Sequence, residues 1–472
     1  MTDASAHMQA RRDGPPIAAR YAAFAHDLGY DDIPERVRER AKLLILDSIG
    51  IAIASTRYEF ARRMLDGIRS MAGPGDCSVI GMPDRMPLRD AATMNAALVH
   101  GLDYDDTHMK SVVHATAATL PTALSVADSL DAPGRDMLAA YIVGLETAIR
   151  IGEAARFGFH RNGYHATGVV GHFAAALIAG KLMRLTPEQL AMAQGVVVST
   201  AMASQEFAED GAWNKRLHCG WASVAGITAA HMAKGGFVAC GRPYEGRFGI
   251  YAMHLGAEDT AALDMDDLLS GLGQRWEAEA CAIKPFPTCH FTHSLADSAL
   301  ILRERHGLKA EDVESIRIVM PEEVLHVVAE PAAAKRRPNS DYDAKFSAQY
   351  IVGTCLAHGR FGLGELDDAA LADPAALALA DRSECEADPR SNFPTYYSGG
   401  VVVRTRDGRE LAHHEPINRG AGDRALTGAE IEAKFMDNAM LVVQRDRAER
   451  VRDLVLGLDR ISGRAFARGL AG

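Results

Sequence analysis

The chain has 472 residues, 48% of them hydrophobic and 24% charged, enough for a large buried core and too apolar for a disordered chain. Lys and Arg number 51 against 62 Asp and Glu, a net charge of −11 without a basic arm, which argues against nucleic acid or an anionic membrane as main partner. Aromatic residues make up only 6%, which favours helices over a β-sandwich, and 18 His stand out in so acidic a chain.

The seven Cys form no CxxC pair, as expected of a reducing cytoplasm. The opening MTDASAHMQARRDGPP has no apolar signal core. The most apolar stretch, 43–54, is broken by Asp47, Ser48 and Gly50 and is too short to span a bilayer. The expectation is a soluble cytoplasmic protein.

Apolar spacing predicts helices over 37–53, 91–103, 115–130, 137–155, 168–182, 187–203 and 222–234. Thr186-Pro187-Glu188-Gln189 is a helix start, with Thr as N-cap and Pro at the first position. Small residues crowd GVVGHFAAALIAG and let helices pack closely. Near Gln274 the character changes. SIRIVM (315–320) and GVVVRT (400–405) read as strands, the second turning through Asp407-Gly408 into ELAHHEP as a hairpin. A helix over 345–358 and a polar loop over 332–342 lie between them, and helix returns from Thr427. The expected fold is mainly α: a large all-helical domain from both chain ends, 1–275 plus 420–472, with an inserted smaller α+β lid domain, 276–419. A cleft between two such domains is the default small-molecule site.

The densest cluster of reactive side chains is Asp103-Tyr104-Asp105-Asp106-Thr107-His108, followed by Lys110 and His114. Neighbouring carboxylates repel one another unless they cap helices, meet cations or bind metal. The bland alternative is that Asp105 and Asp106 cap the next helix. A Mg²⁺-dependent helical diphosphate enzyme is a remote reading; it needs a second acidic motif on a facing helix, and the sequence shows none. A second cluster, FGFHRNGYHATG (157–168), carries His165 into a Gly-rich helix start whose free N–H groups favour an anion. It is not a dinucleotide fingerprint. Lys215 lies in GAWNKRLHCG, and Lys284 opens the Pro-stiffened KPFPTCHFTH, which also holds Cys289 and His290. Lysines in such surroundings fit a bound carboxylate better than a solvated surface. Cys289 lacks the surround of a nucleophile. Lys335-Arg336-Arg337 reads as a run on a solvated loop, with a contribution of charge to the cleft as the alternative. Together these parts suit proton chemistry on a small polycarboxylate: lysines and helix N-termini hold carboxylates while His or Asp moves a proton.

GLDYDDTH, VVHATAATLP, GYHATGVVGHFAAA, NKRLHCGWASVAGITAAHMAKGGF, YEGRFG, KPFPTCHFTH and DAKFSAQYIVG together resemble the MmgE/PrpD family over about residues 17 to 445. That family includes 2-methylcitrate dehydratase, cis-aconitate decarboxylase and iminodisuccinate epimerase. The resemblance implies a helical domain with an α+β lid, a homodimer and no organic cofactor or metal. It implies an active site of Asp103, Thr107, His114, His165, Lys215 and Lys284. A family His after the second lysine falls on Cys289, or on His290 after a one-residue shift. A family tyrosine beyond SIRIVMP has no counterpart at Leu325-His326. The expected activity is a cofactor-independent lyase, dehydratase or decarboxylase, acting on a small di- or tricarboxylate. Epimerisation of an amino-dicarboxylate by the same proton step is the alternative.

Overall fold

The computed structural model describes residues 14–472 apart from Asp264 and Asp266. Helices dominate it, and those that build the site are α1 (Glu35–Ser55), α2 (Leu88–Val99), α3 (Ala115–Leu130), α4 (Gly134–Ala154), α5 (Ala166–Leu182), α6 (Asn214–Lys234), α7 (His293–His306), α8 (Ala348–His358) and α9 (Gly428–Ala439). No helix among the described residues is long and apolar enough to cross a membrane.

α5 is buried around almost its whole circumference, as its unbroken apolar and small residues require. Small side chains set how closely its neighbours approach. A Cβ on Gly226 of α6 would lie 2.5 Å from the Ala175 carbonyl carbon of α5, so any larger residue there pushes the two helices apart. Thr186 caps the helix Pro187–Val197 through the Gln189 amide, as its sequence predicts.

A two-stranded ribbon pairs β1 (Thr107–His108) with β2 (Cys281–Ala282), Thr107 opposite Ala282. The remaining strands of the second half, β3 (Val313–Met320), β4 (Ser383–Ala387), β5 (Gly399–Thr405) and β6 (Glu410–Glu415), form one sheet in the order β4-β3-β5-β6. β3 and β4 run parallel and the other pairs antiparallel. The β5–β6 hairpin turns at Gly408, whose φ of 87° is the left-handed conformation the Asp-Gly signal called for. α7 and α8 cover this sheet. The larger apolar core draws on residues between 17 and 283 and again between 426 and 470. The smaller draws on 282–421, with Met109 and Val112 reaching into it from the Asp-rich loop.

Four elements differ from their sequence expectation. The helix expected over 91–103 stops at Val99, because the Asp103 amide bonds back to the His100 carbonyl and Asp103 takes a left-handed φ of 51°. The one expected over 222–234 starts eight residues earlier, at Asn214; its first turn carries polar side chains that are buried for other reasons than apolarity. The one expected over 187–203 ends at Val197. The polar loop expected over 332–342 holds the short helix Ala332–Arg336 and the start of another, Asp341–Ala344, and Lys335 is buried rather than solvated.

Candidate active site

Asp103 is the centre of the cluster. Its Oδ1 accepts from Lys215 Nζ at 2.9 Å and from Lys284 Nζ at 3.1 Å, and Lys284 also donates to the Asp103 carbonyl at 2.7 Å. All three residues are buried. Burial alone would raise the Asp103 pKa, but the two ammoniums, with His114 and His100, hold it well below the usual carboxylate range. Lys215 stays charged because Asp103 outweighs its desolvation. Phe346 and Phe207 face the Lys215 ammonium at 5.3 and 6.0 Å.

His114 stands at the N-cap of α3 and His165 at the N-cap of α5, and neither helix end has a side-chain cap. The positive ends of both helix dipoles therefore lie at the cluster. The His114 ring lies 3.6 Å from Asp103 Oδ1 and 3.5 Å from Asp105 Oδ1. Burial and the nearby ammoniums push its pKa down to about 4, despite Asp105. His165 is held well below its ordinary value by burial and by Lys215, and its Nδ1 contacts His218 Nδ1 at 3.1 Å.

The structure thus brings Asp103, His114, His165, Lys215 and Lys284 together. Cys289 is buried against the same charges, which act on it with Asp103 and the two lysines, and burial pushes its thiol up to about 11. His290 is turned to Asn418, whose Nδ2 donates to its Nε2 at 2.8 Å, and packs on His293 and Tyr397. Both candidates for the family His place, Cys289 and His290, are buried within range of the Asp103 and Lys284 charges. Thr107 is held by the ribbon instead. Its hydroxyl is buried without a hydrogen-bond partner, like the unmet polar atoms of the cluster. Asp105 pairs with His100 Nδ1 at 2.9 Å rather than capping α3, whereas Asp106 lies buried against Thr116 in the first turn of α3, its pKa raised to about 7 by burial and by Asp105 against the pull of Thr116.

Sequence reasoning passed over four residues. His100 stacks on His165 at 5.6 Å and meets His114 edge-on at 4.7 Å. Lys345, fully buried, donates to the Leu102 carbonyl at 2.6 Å, and burial lowers its pKa to about 7. Tyr342 is buried beside Lys215, Asp103 and Arg216, its hydroxyl unpartnered. Arg216 lies over the Tyr342 ring at 4.5 Å and bonds the Gly101 carbonyl. DAKFSAQY carries Tyr342's neighbours and Lys345, so that motif held the signal. A cavity of about 480 Å³ is lined by Lys110, Arg156, Phe157, Arg161 and Phe393 and by none of the cluster's side chains. Phe157 of its lining stacks on His160 at 5.1 Å, and His160 in turn lies 6.5 Å from His165.

Asp103 Oδ2, Asp105 Oδ1, His100 Nε2, His165 Nε2 and the Tyr342 hydroxyl are all buried without hydrogen bonds. So many unmet polar atoms around three charges mark a place built for a polar ligand.

Comparison with known proteins agrees with this chemistry. Cis-aconitate decarboxylase of Aspergillus terreus is 29% identical over 490 residues, covering 98% of this chain and 96% of that protein. The human cis-aconitate decarboxylase is 26% identical over 461 residues, 94% of this chain and 92% of its own. A mitochondrial 2-methylcitrate dehydratase of Yarrowia lipolytica is 22% identical over 447 residues, 88% and 81%. The MmgE/PrpD N-terminal domain matches residues 19–262 and the C-terminal domain residues 286–460, the latter running past 419 into α9 of the larger core. With both of its domains matched in order along the chain, the protein belongs to the MmgE/PrpD family.

Proposed function

We propose that the protein is a cofactor-independent lyase of small di- or tricarboxylates, with loss of CO₂ from a cis-aconitate-like acid as the leading reaction. The observation that carries this is the Asp103–Lys215–Lys284 triad beneath two uncapped helix N-termini. Substrate carboxylates take up the ammoniums and the free amides, which offer several donors in a dry site. The bond to the departing CO₂ breaks, its electron pair passes into the carbon framework, and His114 or His165 delivers a proton to carbon. Both are neutral in the free protein. A bound polyanion offsets the two ammoniums and raises the histidine pKa values, so the donor charges as the substrate arrives. Asp103 holds both lysines and His114 in place. The relatives named as decarboxylases support CO₂ loss, and the relative named as a dehydratase supports water loss as the second reading.

The test is chelator-treated protein in D₂O with cis-aconitate, citrate, 2-methylcitrate and amino-dicarboxylates. CO₂ release with deuterium on a product carbon is expected. Water loss alone marks a dehydratase and exchange alone an epimerase, while no exchange or turnover with any of them overturns the reading.

The two apolar cores support a division into a helical domain, 1–275 plus 420–472, and an α+β lid, 276–419. All seven cysteines are free, in keeping with a reducing compartment such as the cytoplasm. A second copy of the chain fits α6, where Trp213, Leu217 and Trp221 stand 44, 43 and 55% exposed at four-residue spacing on one face. Light scattering is expected to give twice the chain mass, and Trp221→Glu to give monomer; a monomeric parent protein removes the homodimer.

A further inference from the structure

The geometry points to a transition-metal site in the histidine cluster: His100, His114 and His165 bind a borderline-soft divalent cation, Zn²⁺ first, and the bound ion blocks turnover. One ligand atom from each of the three lies within 4.8 Å of the others. Three nitrogens on one tetrahedral ion, with bonds of about 2.0–2.1 Å, stand roughly 3.4 Å apart, so a modest closure completes the site. His114 can supply that closure. Its ring contacts with Asp103 and Asp105 are as long as 3.6 and 3.5 Å, and its side chain makes no shorter hydrogen bond.

The unmet atoms are of the right kind. His100 and His165 are 1% and 4% exposed, and the Nε2 of each lacks a hydrogen-bond partner. In each ring the other nitrogen is already held: His100 Nδ1 by Asp105 Oδ2 at 2.9 Å, His165 Nδ1 by His218 at 3.1 Å. A carboxylate behind a ligating imidazole is the arrangement that orients metal-bound histidines. A second set, His100, Asp103, Asp105 and His114, is equally compact. It is the poorer choice, because the Asp103 charge is already taken up by two ammoniums at Oδ1, although its Oδ2 is unmet. The charge of Lys215 and Lys284 is offset locally by Asp103 and Asp105, so a dication is not confronted with bare positive charge. Three imidazoles favour Zn²⁺, Co²⁺, Ni²⁺ or Cu²⁺ over Mg²⁺ and Ca²⁺. Inhibition follows because the ion occupies the imidazoles that proton transfer needs; this clause alone rests on the lyase reading.

Equilibrium dialysis of the full chain against ZnCl₂, with metal analysis, is expected to retain one Zn²⁺ per chain, and dialysis against MgCl₂ none. Co²⁺ is expected to give the intense visible band of a tetrahedral site, displaced by Zn²⁺, in the unaltered protein. His100→Gln and His165→Gln should each lose the ion, Asp105→Asn should weaken it by about 10- to 100-fold, and His413→Gln on β6 should keep it. Circular dichroism verifies that each variant is folded. No retained Zn²⁺, an octahedral Co²⁺ spectrum, or retention undiminished in both folded His variants overturns the site. With cis-aconitate, Zn²⁺ should abolish turnover and a chelator restore it; undiminished turnover in the Zn²⁺-loaded protein overturns the inhibition. If the protein turns over nothing, the lyase reading fails while dialysis and the Co²⁺ spectrum still decide the metal.

Discussion

Asp103→Asn is expected to cost about 3–5 kcal/mol of stability and to abolish turnover, because it leaves two buried ammoniums without their shared anion. Both Lys215 and Lys284 donate to the same Asp103 oxygen, and among the described residues no second carboxylate is hydrogen-bonded to either. The amide is isosteric, so the loss comes from charge rather than from packing. Lys284→Ala behaves differently. Asp103 keeps Lys215, so the helical fold survives, but one carboxylate anchor is gone, and a fall of about 10²–10³ in kcat or more is expected. Denaturant midpoints and turnover, measured on both variants, separate the two roles. Parent-like stability in Asp103→Asn would show that the carboxylate is not the counter-ion described above.

Stability is expected to fall steeply as pH drops from about 6.5 to 4. Burial pushes His114, His172 and His218 down to about 4 and His160 to about 3, and holds His165, His290 and His293 well below their ordinary range. Unfolded, each takes a proton near pH 6.5; folded, each resists until far lower. Below pH 6.5 the unfolded chain therefore binds more protons, and acid favours it. For His172, buried within α5, 2.5 pH units correspond to about 3 kcal/mol. Asp106 and Glu146 act in the opposite sense. Burial raises both to about 7, so what they contribute is present at low pH and lost as pH rises to that value. Burial also raises Asp47 and Asp297 and lowers His254, so four carboxyls stand against eight histidines and the histidines remain in control. Melting temperatures between pH 4 and 7 check this, and His172→Leu should flatten the slope by one group; a level profile is the contrary result.

The parts of the site legible in the sequence were those announced by local punctuation. His165 and Lys284 follow or precede Gly and Pro, and Lys215 sits in a polar run before small residues. His100 had no such mark. It closes the apolar run of α2 and reads as a helix tail, although its ring faces His114 and His165. Lys345 looks like the start of an ordinary helix, because the carbonyl it bonds lies 243 residues away. The same cause hid the first turn of α6: Lys215 and Arg216 are buried by partners from distant segments, so apolar periodicity missed them. Among the strands, β5 and β6 declared themselves through Asp-Gly, whereas β4 is an edge strand of charged residues paired in parallel with β3. Helix positions followed from periodicity, and non-local polar contacts did not.

The bonds around the Asp-rich loop also have a kinetic consequence. Lys284 on Asp103, Lys345 on the Leu102 carbonyl and Tyr104 on the Pro285 carbonyl stitch a loop of the larger core to segments that enter the smaller one. Neither half carries the site alone. The seam between the cores and the proposed reaction centre share these bonds, so a local opening of that seam is expected to dismantle the centre while both cores stay folded. Seam opening rather than global unfolding is then expected to set the working lifetime of the enzyme. An occupant that engages both lysines acts as a strut across it and lengthens that lifetime by mass action.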